Sequence, residues 1–149
     1  MKNELIIKRC NSCGATVKMI EGKDVTITCC GEEMKTVVAN SVDAAVEKHV
    51  PTYEKVENEI QAKVNHVMED EHYIEWISLV SENKEYSVKF KAGEVAEAVF
   101  PYIPGSMLYA YCNKHGLWSK EVEKKQAIYV YNIFKRQKEE KNGSYKNNK

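Results

Sequence analysis

A membrane-spanning helix needs about 20 consecutive apolar residues, and the sequence of 149 residues has no apolar run close to that length. Its first ten residues, MKNELIIKRC, lack the basic region followed by a long apolar stretch that is typical of a secretory signal. From both absences we expect a soluble protein that has no membrane partner and is located in the cytoplasm.

The sequence also lacks an excess of charge of either sign, since it has 22 basic and 22 acidic residues. A nucleic-acid partner is therefore not indicated. The charges are unevenly distributed, because residues 119–149 carry nine Lys and Arg against four Asp and Glu, a net charge of +5. We interpret 119–149 as a basic C-terminal extension, helical or disordered, in which KEVEKKQAIYVYNIFKRQKEE is a plausible helix and AIYVYNIF could equally be a strand.

Cysteine and histidine are few, with five and four residues respectively. A reducing cytosol disfavours structural disulfides, so clustered cysteines are more often metal ligands. The nine candidate ligands form two groups along the chain: Cys10, Cys13, Cys29 and Cys30, and then His49, His66, His72, Cys112 and His115.

Runs rich in Val, Ile, Tyr and Phe predict a mainly β protein. Residues 1–37 contain short strands separated by turns, and so few residues cannot form a self-sufficient apolar core, which favours a metal ion as the stabilising element. From Thr52 to about Trp118, several short strands alternate with turn residues, a spacing typical of a β-sandwich or barrel. The resulting division of the chain is 1–37, 38–118 and 119–149.

A short helix is predicted between the two β regions, in the segment NSVDAAVEKHVP. Asn40, Ser41 or Asp43 could cap its N-terminus. Pro51 disfavours the helical conformation in the residue before it, so we expect His49 at or just past the end of the helix.

The N-terminal cysteines have the spacing of a four-thiolate metal site. Cys10 and Cys13 form a two-residue knuckle, and the adjacent pair Cys29 and Cys30 follows after 15 intervening residues. Adjacent cysteines can bind one ion only if the backbone bends sharply between them, and Gly31 supplies the conformational freedom. Zinc and a single iron both fit four thiolates, and the spacing does not distinguish them.

The four histidines and Cys112 form the second candidate site. His66 and His72 are separated by VMEDE and can share an ion only if this segment loops back, since neither a helix nor a strand aims both side chains at one point. Cys112 and His115 are three residues apart, in a compact turn. With His49 they make a candidate set of four imidazoles and one thiolate. Zinc seldom takes five protein ligands, whereas iron does and keeps a sixth position for chemistry.

The order of these motifs closely resembles desulfoferrodoxin, the two-iron form of superoxide reductase. The shared motifs are Cys-x2-Cys, the Cys-Cys pair, EKHVP, His-x5-His followed by YIEWI, and YCNxHGLW, and they cover residues 1 to about 118. All nine Cys and His residues fall on ligand positions of that family. The resemblance implies a desulforedoxin-like domain over residues 1–37 and an immunoglobulin-like β-sandwich over 38–118 that carries the catalytic iron.

The resemblance also implies a role for each ligand. Cys10, Cys13, Cys29 and Cys30 would hold one iron, here termed centre I. A second iron, centre II, would have His49, His66, His72 and His115 in its equatorial plane and Cys112 in an axial position.

The implied activity is the one-electron reduction of superoxide to hydrogen peroxide by a homodimer that takes electrons from rubredoxin or a similar donor. Glu47 and Lys48 match a Glu-Lys pair of the family. Lys48 would steer superoxide and organise the water that protonates the product, whereas Glu47 would occupy the sixth position of the ferric iron. Two departures are visible: Val67 stands where the family usually has proline, and the basic extension follows the GLW run at which members commonly end.

Three other interpretations compete with this one. A rubredoxin-like electron carrier without catalysis leaves the four histidines unexplained. A zinc-stapled interaction module with a basic tail is disfavoured by the charge balance of the rest of the chain. A dismutase is the closest chemical neighbour, and it would release oxygen as well as peroxide.

Overall fold

The computed structural model describes residues 4–124 and 133–141. Within these ranges the chain is mainly β, as predicted. The strands are β1 (Ile6–Arg9), β2 (Thr16–Met19), β3 (Thr28–Cys29), β4 (Glu32–Glu33), β5 (Lys35–Val37), β6 (Thr52–Val56), β7 (Glu59–Lys63), β8 (Ile74–Val80), β9 (Glu85–Lys89), β10 (Glu97–Pro101), β11 (Met107–Cys112) and β12 (Gly116–Glu121). Helix α1 (Val46–His49) lies between β5 and β6, and helix α2 covers residues 133–141.

Two antiparallel sheets pack face to face and form a β-sandwich. Their strand orders are β10-β7-β6 and β12-β11-β8-β9. Side chains alternate across each strand, so Ile60 and Ala62 of β7 are buried while the residues beside them are exposed. Phe100 of the first sheet and Ile77 and Leu108 of the second belong to the same apolar core. The predicted immunoglobulin-like sandwich is thus confirmed.

The N-terminal region forms a three-stranded sheet of order β2-β1-β5 and a small β3–β4 hairpin. It packs on the outer face of the four-stranded sheet, where Leu5 and Ile7 share an apolar cluster with Tyr109, Tyr111 and Leu117. Strand β11 therefore lies under protein on both faces, which explains its unbroken apolar sequence, MLYAYC.

Helix α1 begins later than predicted. Its N-cap is Ala45, without a side-chain cap, so the predicted capping by Asn40, Ser41 or Asp43 is wrong. Two of these three side chains are bound elsewhere: the Asn40 amide donates to β12, and the Ser41 hydroxyl donates to a preceding backbone carbonyl. The predicted end of the helix at His49 is confirmed.

The chain continues as part of the sandwich beyond residue 118. Strand β12 runs to Glu121, and Val122 is fully buried in the sandwich core. A helix beginning at Lys120 is therefore wrong at its start, because pairing with β11 and the burial of Val122 outweigh the helical pattern.

Helix α2 agrees with the later part of the predicted C-terminal helix, and all of its residues are exposed. Most of the alternative strand, AIYVYNIF, lies outside the described residues. None of the helices in the described part of the chain combines the length and the apolar composition that crossing a membrane requires.

Candidate metal centres

The four N-terminal cysteines gather into one cluster, in which the sulfur atoms lie within 4.8 Å of one another. The sulfur of Cys29 is 3.7 Å from that of Cys13 and 3.9 Å from that of Cys30. Sulfur ligands held about 2.3 Å from an ion in a tetrahedral site lie about 3.8 Å apart. The cluster therefore has the dimensions of a four-thiolate metal site, as the cysteine spacing predicted.

Two backbone turns shape this cluster. At the knuckle, the backbone N–H of Gly14 donates to the carbonyl of Cys10, and the N–H of Cys10 donates to the carbonyl of Ala15, both at 2.9 Å. On the other side, Cys30 has a φ of 52° and Gly31 a φ of 73°, both in the left-handed region. This is the sharp bend that two adjacent cysteines need in order to face one ion.

The pKa values of three of these thiols are shifted by their neighbours in the cluster. The backbone N–H of Cys13 lowers the pKa of Cys10 from 9.0 to about 7. In contrast, hydrogen bonding with the Cys13 side chain raises the pKa of Cys29 to about 12, and that of Cys30 is also raised. Since the thiolate is the metal-binding form, a bound cation would favour the ionised form of Cys29 and Cys30.

The second site is assembled from separate parts of the sandwich. His49 ends α1, His66 follows β7, His72 precedes β8, Cys112 ends β11, and His115 lies in the β11–β12 turn. One ligand atom from each of them lies within 4.8 Å of the other four. The structure therefore brings together all five residues that the sequence predicts.

The four imidazoles are arranged as a closed ring. Each contacts two neighbours, in the order His49, His66, His72, His115 and back to His49, with ring centroids 4.5 to 4.9 Å apart and steep angles between the rings. The Nδ1 atom of His115 is 2.9 Å from Nε2 of His49 and 3.2 Å from Nε2 of His72. Nitrogen ligands about 2.1 Å from an ion and at right angles lie about 3.0 Å apart. The ring thus has the dimensions of four ligands around one ion.

Cys112 lies to one side of this ring. Its sulfur is 3.4 Å from Nε2 of His66 and 3.7 Å from Nδ1 of His115, which occupy opposite corners of the ring. An atom close to two opposite corners sits over the centre of the ring, so the thiol has the axial position. Cys112 is fully buried, whereas His66, His72 and His115 are partly exposed. The side opposite the sulfur carries no ligand among the residues that form this group.

The segment between His66 and His72 loops back, as a shared ion requires. Glu69 and His72 form an isolated antiparallel bridge, in which each backbone N–H donates to the other's carbonyl, at 2.9 and 3.1 Å. The backbone N–H of Gly93 donates to the carbonyl of Met68 at 2.7 Å and ties the loop to the rest of the sandwich.

Backbone carbonyls orient two of the imidazoles. Nδ1 of His49 is 2.7 Å from the carbonyl oxygen of Ala45, and Nδ1 of His66 bonds to the carbonyl of Val67. Protonation of Nδ1 leaves Nε2 free to bind a metal ion. Burial lowers the pKa of His66 and of His72, which favours the neutral, metal-binding form of both.

A sequence model of the desulfoferrodoxin family matches residues 41–121, more than half of the chain. The chain belongs to the desulfoferrodoxin family. It is 42% identical over 125 residues to desulfoferrodoxin of Syntrophotalea carbinolica, with 81% of this chain and 99% of the relative covered. It is 40% identical over 126 residues to that of Desulfarculus baarsii, with the same coverage. The crystal structure of superoxide reductase from Treponema pallidum has a TM-score of 0.63 and 28% identity, with 79% of this chain and 99% of that chain covered.

Membership of the desulfoferrodoxin family confirms the resemblance seen in the sequence and identifies both metals. The two side-chain groups match the two-iron arrangement, with one iron in four thiolates and one in four imidazoles and a thiolate.

In this member of the desulfoferrodoxin family, sequence reasoning missed two residues that hold ligands. Trp118 is almost fully buried, stacks on His49 with ring centroids 4.9 Å apart, and donates from Nε1 to the carbonyl of His115 at 3.1 Å. Asn113 connects the Cys112 turn to the start of β8, since its side-chain oxygen accepts from the N–H of Tyr73 at 3.0 Å. The run YCNxHGLW contains both residues, but nothing in it shows which groups they bind.

Glu47 and Lys48 both lie in α1, directly before His49, and both side chains are exposed. The helix therefore carries a carboxylate and an ammonium group on the surface next to a centre II ligand.

Proposed function

We propose that this protein is a superoxide reductase, which reduces superoxide to hydrogen peroxide by one electron. The observation that carries the proposal is the donor set of centre II, four imidazoles in a ring with one buried thiolate on its axis. An iron site with five protein ligands keeps one position for a small ligand. The structural match to the Treponema pallidum superoxide reductase supports the same reaction.

The reaction needs one electron and two protons for each superoxide. A ferrous ion held by His49, His66, His72, Cys112 and His115 would supply the electron. An outside donor must therefore return one electron per turnover, and we assign this role to rubredoxin or a similar protein. We also propose that the protein acts as a homodimer in the cytoplasm.

The ligands of centre II set its electronic character. Neutral imidazoles leave the positive charge of a bound ion in place, which attracts an anionic substrate. The Cys112 thiolate, buried on the opposite side, donates electron density that favours reduction and product release. Burial raises the pKa of the Cys112 thiol, so its ionised form depends on a bound cation.

Lys48 and Glu47 act on the open side of the site in this proposal. The ammonium group of Lys48 increases the rate at which superoxide reaches the site and organises the water that protonates the product. Glu47, from the preceding position of the same helix, closes the open side between turnovers. The exposure of both side chains next to His49 supports these roles.

The rival function is electron transfer at centre I without catalysis. It gives no reason for four imidazoles and a thiolate to converge on one point. A dismutase uses the same substrate, and its production of oxygen distinguishes it from a reductase.

A coupled assay tests the proposal. The iron-loaded protein, rubredoxin and a rubredoxin reductase are mixed with NADPH, and superoxide is generated enzymatically. We expect NADPH oxidation that depends on both superoxide and the protein. NADPH oxidation that is unchanged when the protein is omitted would exclude superoxide reduction with this donor.

A further inference from the structure

The interface between the N-terminal region and the sandwich carries a cationic side chain between the two metal centres. Arg9 is the last residue of β1 and directly precedes Cys10, the first ligand of centre I. On the sandwich side, its guanidinium carbon lies 4.8 Å from the centroid of the Tyr111 ring, and Tyr111 directly precedes Cys112. Arg9, which precedes a ligand of centre I, therefore contacts Tyr111, which precedes a ligand of centre II.

Arg9 is fixed on the N-terminal side by the knuckle of centre I. Its Nη1 donates to the hydroxyl of Thr16 at 3.0 Å. Its Nη2 lies 3.4 Å from the point at which a Cβ on Gly14 would stand, and Gly14 has a φ of 76°. A side chain at position 14 would be strained by this φ and its Cβ would contact the guanidinium group, so glycine suits the knuckle that lies against Arg9.

On the sandwich side, Arg9 neutralises a carboxylate near the axial thiolate. Its Nη1 donates to Oε2 of Glu75 at 3.1 Å, and both side chains are partly buried, with exposures of 20% and 25%. The strand register shifts at this point, because Tyr111 pairs with Trp76 but Cys112 pairs with Ile74. Glu75 is the extra residue of the resulting bulge, between the residues that pair with Tyr111 and with Cys112.

Glu75 is placed next to centre II by the sheet. It directly follows Ile74, the residue of β8 that pairs with Cys112. Partial burial of the Arg9–Glu75 pair keeps its charges less screened than those of a surface ion pair. A change in the charge of this pair therefore changes the electrostatic potential near the axial ligand.

We propose that Arg9 is a positioning residue for centre II, which neutralises Glu75 and holds the Tyr111–Cys112 strand end, and thereby sets the reduction potential of the iron. This inference deepens the proposed function, on which it rests, since centre II is the proposed catalytic centre. Removing the positive charge leaves a negative carboxylate near the thiolate. That change favours the ferric state and lowers the reduction potential.

A second cation in the same interface provides a matched control. Lys18 of β2 lies over the Trp76 ring at 5.6 Å and pairs with Glu85 of β9. Like Arg9, it bridges the two regions through one aromatic ring and one carboxylate. Its carboxylate partner, Glu85, pairs with Val80 at the opposite end of β8 from Ile74, so loss of Lys18 weakens the interface while the Arg9–Glu75 pair stays intact.

The test is an optical redox titration of centre II in the iron-loaded full chain, with iron content and circular dichroism recorded for each variant. We expect Arg9→Met to lower the reduction potential, Glu75→Gln to raise it, and the double variant to lie near the unmodified protein. Arg9→Lys should recover the potential only in part, because lysine keeps the charge but not the planar contact with Tyr111. Lys18→Met should leave the potential unchanged.

Equal shifts in Arg9→Met and Lys18→Met, or no shift in Arg9→Met, would overturn the inference. If Arg9→Met does not retain iron, Glu75→Gln decides the question, because an unchanged potential in that variant contradicts the charge argument. The titration uses no superoxide. A protein that shows these shifts but does not reduce superoxide would refute the proposed function alone.

Discussion

The indole ring of Trp118 stacks on the imidazole of His49, with ring centroids 4.9 Å apart and planes inclined by 26°. The same indole donates from Nε1 to the backbone carbonyl of His115. One buried side chain thus fixes two neighbouring ligands of centre II, and it does so from β12, outside the loops that supply the ligands.

Replacement of Trp118 should loosen centre II. Trp118→Ala leaves a cavity beside His49 and should cost about 3–5 kcal/mol of stability, with faster loss of iron to a chelator. Trp118→Phe keeps an aromatic ring but not the hydrogen bond, so its effect should be smaller. Iron content and the rate of iron loss at centre II are the measurements. Equal iron retention in both variants and the unmodified protein would contradict the role of Trp118.

Lys48→Ala should slow the second-order reaction with superoxide by roughly tenfold at low ionic strength, and the difference should shrink as salt is added. Pulse radiolysis across a salt series measures this rate. Lys84→Ala is the matched control, because Lys84 lies in the β8–β9 turn, at the end of β8 remote from His72, about 20 Å along the strand. A salt dependence that Lys48→Ala leaves unchanged would exclude steering by this residue.

Cys13→Ser should remove the absorption of the ferric four-thiolate iron and leave the absorption of centre II. The reason is that every ligand of centre II comes from residues 49–115, whereas Cys13 belongs to the N-terminal knuckle. Visible spectra and iron analysis of the oxidised variant check this outcome. Loss of both absorptions would show that centre II cannot form without centre I.

The N-terminal sheet contains a buried ammonium group that forms an ion pair with a carboxylate. The side chain of Lys8 is 4% exposed, and its Nζ lies 2.8 Å from Oδ1 of Asp24. Hydrogen bonding to Lys8 holds the pKa of Asp24 below its ordinary value of 3.8. A carboxylate with a lowered pKa in the folded state stabilises the fold above its unfolded pKa, and this contribution is lost as the pH falls through the folded value.

Asp24→Asn should therefore lower the melting temperature of the N-terminal region at pH 7 and pH 5 by similar amounts. Below about pH 4 the difference from the unmodified protein should narrow, because Asp24 itself becomes protonated. Thermal unfolding followed by near-ultraviolet circular dichroism measures the difference. A gap that widens as the pH falls would contradict the ion pair.

The ligand positions could be predicted from the sequence because their chemistry depends on residue type and local spacing. The bend at Cys30 and the return of the loop between His66 and His72 were required by the ligand pattern, and the structure contains both. The β-sandwich could also be predicted, because short runs rich in Val, Ile, Tyr and Phe between turn residues are a local property of the sequence.

The contacts that support the ligands could not be predicted in this way. Arg9 meets Tyr111 across 102 residues of sequence, and no local pattern marks that pairing. The prediction of a helix from Lys120 was wrong for a related reason. Val122 is buried in the sandwich core, and helix propensity does not include such tertiary contacts. Helix α1 begins after Ala45 without a side-chain cap, and Asn40 and Ser41, two of the expected caps, form hydrogen bonds elsewhere.

The most direct test of the central claim is the product yield of a single turnover. The fully reduced, iron-loaded protein is mixed anaerobically with less than one equivalent of superoxide, and hydrogen peroxide, oxygen and oxidised centre II are measured together. We predict one hydrogen peroxide and one oxidised centre II for each superoxide, with no oxygen formed. Release of oxygen with half as much peroxide would show a dismutase and contradict the assignment of this protein as a superoxide reductase.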